Sequence, residues 1–279
     1  MKAKLKCAGS LLVLSLAALL MLSAFDLRLK TQKYRLTDKS LSGGIRMVLV
    51  TDLHSCRYGE NQKELIDAVL KARPDILLLG GETFDDNMPH KNAELFIKAV
   101  AGKYPCFYVT GNHELWADNR AAIFNILQNH GIKNLAGEYE TVNIRGQNIN
   151  ICGVSDPDIT KYMHTDFGLP EQLEALKNVK DNGYYTVLLA HRPELIENYA
   201  EYGFDLVLSG HAHGGQWRIP KVLNGLFAPD QGFFPEYAGG EYTLKNTTMI
   251  VSRGLASEST PVPRIFNRPE LVIIDLDKK

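Results

Sequence analysis

No Cys-x-x-Cys pair occurs in this chain, and its four cysteines (Cys7, Cys56, Cys106, Cys152) lie far apart. That scatter argues against a disulfide framework and against a thiolate metal site. An excess of charge is missing too. The formal net charge is −1, so no global field favours nucleic acid, and no specific nucleic-acid binding is expected. Internal repeats and low-complexity tracts are absent. What remains is a globular composition, 45% hydrophobic and 23% charged over 279 residues, enough for one large core or two small ones.

Long uncharged runs are scarce, with one exception. Lys2, Lys4 and Lys6 precede 19 residues, Cys7 to Phe25, that carry no charge. About 20 apolar residues in a helix span a bilayer core, and a basic flank holds the N-terminus in the cytoplasm. The expectation is a signal anchor over residues 1–25, with Leu22 spoiling the alternative of cleavage near Ser23-Ala24. Residues 26–44, basic and ending in Ser-Gly-Gly, read as a juxtamembrane linker, and residues 45–279 as the catalytic domain. The protein is then a single-pass cell-membrane protein whose catalytic domain lies outside the cytoplasm.

From residue 45 onward, apolar strand runs alternate with helical periodicity. Strands are expected at Ile45–Val50, Asp75–Leu79, Cys106–Val109, Tyr185–Leu189 and Phe204–Leu208, with helices over 60–71, 91–101 and 117–129 between the early ones. Hairpins are expected over 138–153 and 242–251, and Leu271–Leu276 closes the sheet. Parallel βαβ units followed by hairpins indicate an α/β (α+β) fold with mixed sheets. The expected architecture is a four-layer αββα sandwich, two mixed β-sheets flanked by helices, behind the N-terminal transmembrane helix.

Each of the five strand runs delivers a polar cluster: Asp52 and His54; Glu82; Asn112 and His113; His191; His211 and His213. Ligands in open α/β sheets bind beyond the carboxyl ends of the strands, so these clusters should converge. Five of the chain's eight histidines fall in them. Oxygen and nitrogen donors without sulfur suit a pair of divalent ions, manganese, iron or zinc, clamped as in two-metal hydrolases.

The motifs Asp52-x-His54, Gly81-Glu82, Gly111-Asn112-His113-Glu114, His191 and Gly210-His211-Ala212-His213 resemble the calcineurin-like metallophosphoesterase superfamily. Ser252-Arg253-Gly254-Leu255 and Phe266-Asn267-Arg268-Pro269-Glu270 resemble its membrane-associated bacterial branch, typified by YkuE and YaeI. The resemblance implies that Asp52, His54 and His213 hold one metal and Asn112, His191 and His211 a second. Glu82 would bridge them, and His113 would be the general acid, with Asp85 or another carboxylate beside it. It implies a phosphoester substrate, lipid-linked, of the envelope, or a nucleotide.

One position departs from the family pattern, which has aspartate where this chain has Glu82. The extra methylene moves the carboxylate by about 1 Å on a fixed backbone, far more than metal-site geometry tolerates. Asp85 and Asp86 are near enough in sequence to stand in. The rival reading is therefore a non-catalytic metal-binding or scaffold protein with a weakened site. Arg57, Arg192 and Arg253 flank the motif loops as candidate phosphate contacts.

Overall fold

The structure, a computed structural model, describes residues 2–257 and 262–279, with the side chains of residues 2–12 outside that description. Its strands are β1 (Lys30–Asp38), β2 (Ile45–Val50), β3 (Ile76–Gly80), β4 (Cys106–Val109), β5 (Lys133–Asn134), β6 (Glu138–Ile144), β7 (Gln147–Val154), β8 (Tyr185–Ala190), β9 (Leu206–Ser209), β10 (Phe227–Ala228), β11 (Gly232–Phe233), β12 (Gly240–Leu244), β13 (Thr247–Val251) and β14 (Glu270–Lys278). The helices are α1 (Lys2–Ala24), α2 (Lys63–Ala72), α3 (Lys91–Val100), α4 (Asn112–Trp116), α5 (Arg120–Asn129), α6 (Ile159–Met163), α7 (Leu169–Ala175) and α8 (Ile196–Glu201).

Among the described residues two six-stranded sheets form, in the orders β1-β14-β2-β3-β4-β5 and β12-β13-β9-β8-β7-β6. Both are mixed. In the first, β2, β3 and β4 run parallel while β14 lies antiparallel to β2. In the second, β7, β8, β9 and β13 run parallel, with antiparallel strands at both edges. The central strands β3, β4, β8 and β9 are buried at every position, as their unbroken apolar runs require of strands covered on both faces.

Three apolar clusters give the layers. Met47, Leu49, Leu78, Val109, Ile151, Val187, Leu208 and Ile274 fill the space between the sheets. Val48, Leu77, Leu79 and Tyr108 meet Leu65, Val69, Phe96 and Ile123 of the helices on one outer face. Leu188, Val207 and Met249 meet Leu173, Ile196 and Tyr199 on the other. This is the expected αββα sandwich.

Two differences from the sequence reading matter. Residues 26–44, read as a linker, contain β1, which pairs in parallel with β14 from Lys30 opposite Glu270 to Asp38 opposite Lys278. Its residues alternate between half-buried and exposed, but only Tyr34 and Leu36 of the inner set are apolar, so the period-two signal is faint. Charge on an edge strand is the usual guard against stray pairing. The second concerns the expected transmembrane helix. Helix α1 occupies that stretch, but among the described residues no helix is long and apolar enough to cross a membrane. Residues 7–12 of the expected span lie outside the described side chains.

Candidate metal centre

The loops leaving β2, β3, β4, β8 and β9 meet at one edge of the sandwich, beyond the carboxyl ends of these strands. Backbone pairing continues past the strands and fixes the loops against each other. Asp52 N–H donates to the Gly81 carbonyl at 3.0 Å, His54 N–H to Glu82 at 2.8 Å, and Gly210 N–H to His191 at 3.0 Å. The two sheets are stitched there by Leu255 N–H, which donates to Thr51 O at 3.1 Å. Asp52, His54, Glu82, His211 and His213 all have positive φ, between 47° and 64°. Left-handed backbone at a non-glycine residue costs about 1–2 kcal/mol. Five such residues around one point are strain held where it serves a site.

The side chains converge in two groups. Donor atoms of Asp52, His54, Glu82 and His213 lie within 4.8 Å of one another, and so do those of Glu82, His191 and His211. Glu82 belongs to both. Its Oε2 is 2.7 Å from His54 Nε2 and 3.3 Å from His213 Nε2, while its Oε1 is 3.5 Å from His191 Nε2. The longer acid therefore reaches the position between the groups by itself, and neither Asp85 nor Asp86 substitutes for it. Room comes from Gly111, since a Cβ there would stand 2.5 Å from Glu82 Cγ.

Several atoms of these residues are buried without a hydrogen-bond partner: Asp52 Oδ2, Asn112 Oδ1, His191 Nε2 and His211 Nδ1. Buried polar atoms are rarely left so. The opposite nitrogens are occupied, which sets the tautomers. His191 Nδ1–H donates to the Gly80 carbonyl at 2.8 Å, and His211 Nε2–H to Asp230 Oδ2 at 2.7 Å. His54 Nδ1–H donates to Asp85 Oδ2 at 2.8 Å. Each imidazole thus turns its other ring nitrogen inward, the atom a metal would take in place of a proton, as in metal-ligating histidines. An all-oxygen-and-nitrogen set of orphaned donors around shared carboxylates fits hard or borderline divalent ions.

Electrostatics point the same way. Burial alone would lower the affinity of His54 for a proton, but the Glu82 charge and the Asp85 hydrogen bond outweigh it and raise its pKa well above normal. Burial is likewise outweighed at His191, where Glu82 pushes the pKa up to about 10. Burial would raise the Glu82 carboxyl, yet the facing His54 and His191 imidazoles pull it well below its usual value. Burial keeps His213 low. Protons are drawn into this cage because its carboxylates demand positive charge.

Around the cage stand residues that the sequence reading did not assign. Glu114, fully buried, accepts the backbone N–H groups of Glu82 (3.0 Å), Phe84 (3.0 Å) and Gly111 (2.9 Å), clamping the Glu82 loop to the Asn112 loop. Asn267 Nδ2 donates to His213 O at 2.7 Å. His113 Nδ1–H donates to Asp86 Oδ1 at 2.6 Å, while Asp85 stands farther off at 3.7 Å. His113 Nε2 turns toward Glu82 Oε1 at 3.6 Å. The carboxylate beside His113 is therefore Asp86, and Asp85 serves His54.

The cage opens into a cleft of about 340 Å³, lined by His54, Glu82, Asn112, His113, His211 and His213, with Trp116, Arg192 and Asp230 at its walls. Of the three flanking arginines, Arg192 alone lines it. Asp156 holds Arg192 from Nε and Nη2 at 2.7 and 3.0 Å, and Asp230 holds Nη1 at 2.9 Å. Arg57 is exposed and turns back to the Gly59 carbonyl. Arg253 packs against Gly239 and faces Glu270.

Residues 45–215 match the calcineurin-like phosphoesterase family. An uncharacterized metallophosphoesterase of Aquifex aeolicus (strain VF5) is 32% identical over 260 residues, covering 90% of this chain and 93% of its own. The uncharacterized metallophosphoesterase YkuE of Bacillus subtilis (strain 168) is 25% identical over 239 residues, 84% of this chain and 79% of its own. Among solved structures, the sulfate thiohydrolase SoxB of Thermus thermophilus overlays with a TM-score of 0.51 at 14% identity, over 85% of this chain and 57% of that one. That last likeness is one of fold.

Proposed function

Because the chain belongs to the calcineurin-like phosphoesterase family, a family of metal-dependent phosphoric ester hydrolases, we propose that its cage holds two divalent cations and hydrolyses a phosphoester carried at a membrane. The observation that carries the reading is Glu82, which faces both donor groups with one oxygen each. Asp52, His54 and His213 would hold one ion, and Asn112, His191 and His211 the other. Bound cations of this kind supply a nucleophile at neutral pH and neutralise the phosphoryl oxygens.

The chain's own residues then have separate tasks. His113 gives its Nε2 proton to the leaving oxygen as the P–O bond breaks, and Asp86, accepting the Nδ1–H, orients the ring for that transfer. Arg192, held flat by Asp156, meets a phosphate oxygen at the cleft wall. Asp85 orients His54, and Glu114 keeps the two loops in register.

Anchoring through α1 rests on the basic flank of its sequence and on Val13 to Leu22, every residue of which is exposed. A soluble protein rarely leaves such a stretch uncovered. The same flank argues for a catalytic domain outside the cytoplasm, where envelope or lipid-linked phosphoesters are the substrates at hand.

The test is turnover of bis-p-nitrophenyl phosphate with manganese, in wild type and His113→Ala, with bound metal counted by mass spectrometry. Two ions per chain and turnover that falls with His113→Ala is the expected result. Normal metal content with both proteins inert would instead leave a metal-binding protein without catalysis.

A further inference from the structure

Backbone contacts lead from the root of α1 to the cleft along a segment rich in exposed apolar side chains. Helix α1 ends at Ala24, whose carbonyl accepts the Phe266 N–H at 2.7 Å. Ile265, next in line, accepts the Arg218 N–H at 3.0 Å, and the Trp217 indole N–H donates to the Pro263 carbonyl at 3.0 Å. Leu226 N–H donates to Trp217 O at 2.9 Å, and Phe234 N–H to Leu226 O at 2.8 Å. Phe227 and Phe233 then pair across the β10–β11 hairpin, ring centroids 5.3 Å apart. The turn of that hairpin carries Pro229 and Asp230, which line the cleft.

Along this strip the side chains that should be covered are not. Trp217 is 42% exposed, Ile219 53%, Val222 81%, Phe233 71% and Phe234 69%. Phe25 and Leu27, just past α1, are 47% and 43% exposed. Isolated exposed apolar residues need no account, but a run of this length with two adjacent phenylalanines marks a surface that meets something apolar. Exposed Lys221 lies within the strip; Arg28, ion-paired with Asp26, and the half-buried Arg218, bonded to Asn224, add positive charge near it, and the exposed Glu236 is the acid nearest its phenylalanines in sequence. Tryptophan and phenylalanine interleaved with arginine and lysine is the make-up of a bilayer interface site, where rings sit at headgroup depth and cations meet anionic lipid.

We propose that the Trp217–Phe234 strip docks on the membrane into which α1 inserts, and thereby presents the mouth of the cleft to the lipid headgroups. The occupant is the bilayer rather than a protein, because the strip begins where the exposed apolar face of α1 ends. The consequence is a substrate class: an amphiphilic phosphoester whose acyl chains stay in the leaflet while its phosphate enters past Asp230. This rests on the anchoring and phosphoesterase readings, and the experiment separates their failure from its own.

Full-length protein carrying Trp116→Phe, so that Trp217 is the sole tryptophan, is reconstituted into vesicles of phosphatidylethanolamine and phosphatidylglycerol with brominated acyl chains. Loss of Trp217 emission relative to unbrominated vesicles is the expected result. Unchanged emission in protein that resists carbonate extraction overturns the docking while leaving the anchor in place. Release by carbonate brings down the anchor and the docking together. In a second arm, the double variant Phe233→Ser and Phe234→Ser should lower turnover of a vesicle-borne lipid phosphoester about tenfold, the size expected from losing buried phenylalanine area, with turnover of soluble bis-p-nitrophenyl phosphate unchanged. Equal turnover of the vesicle substrate by both proteins, or cysteine cross-links joining residue 234 of two copies, would overturn it.

Discussion

The Glu82 side chain lies over Gly111, its Cγ only 2.5 Å from where a Cβ on residue 111 would stand. This packing lets a glutamate occupy a position between two donor groups without displacing the backbone that carries it. Gly111→Ala should therefore push Glu82 out of place while leaving the sheets intact. Turnover should fall by about 10²-fold or more, the cost of a small misplacement at a reacting centre, and bound metal should drop below two ions per chain. Circular dichroism should be unchanged. A Gly111→Ala protein with full activity would show that the contact does not set the position of Glu82.

His113 as proton donor has a signature beyond lost activity. His113→Ala should lower kcat by about 10²–10⁴ for esters with poor leaving groups. The loss should be smaller, though still measurable, for nitrophenyl esters, whose leaving oxygen needs less help from a proton. Asp86→Asn should follow the same trend more weakly, because Asp86 acts through His113. An equal loss for all leaving groups would assign His113 to binding instead.

Metal binding should release protons. Without cations His54 and His191 hold theirs far above the ordinary imidazole range, His191 to about 10, under the pull of Glu82. Cations must displace those protons, so affinity should rise with pH from acid conditions through neutrality and beyond. Calorimetry of manganese binding in buffers of different ionisation enthalpy reads the proton count directly. Affinity that does not change with pH would contradict the charge balance described for the cage.

Asp85 holds His54 from behind at 2.8 Å. Asp85→Asn should weaken metal binding by about 10–100-fold, the usual loss when a ligand's orienting partner is removed. Chelator competition measures it, and a smaller effect on the folded protein's melting temperature separates it from general damage.

Arg192 is gripped by both oxygens of Asp156. Lysine keeps the charge but cannot reproduce a planar bidentate fork. Arg192→Lys should raise KM by roughly tenfold with a smaller change in kcat, the pattern of lost substrate binding.

The sequence by itself determined where the candidate donor residues lie. An apolar run followed by Asp, His, Asn or Glu is a local pattern, because strand burial and strand ends are written within a few residues of each other. The αββα layering followed from the order of such runs. The partners were another matter. Asp86 beside His113, Asp230 beside His211 and Glu114 across two loops are matched only when distant loops meet. Likewise β1 is a strand only because β14, 240 residues later, offers its edge to Lys30–Asp38, whose own alternation is too polar to announce it. Tertiary structure also decided how Glu82 fits and where the aromatic strip lies relative to α1. These depend on contacts between segments far apart in the chain, and no local periodicity records a contact that only folding creates.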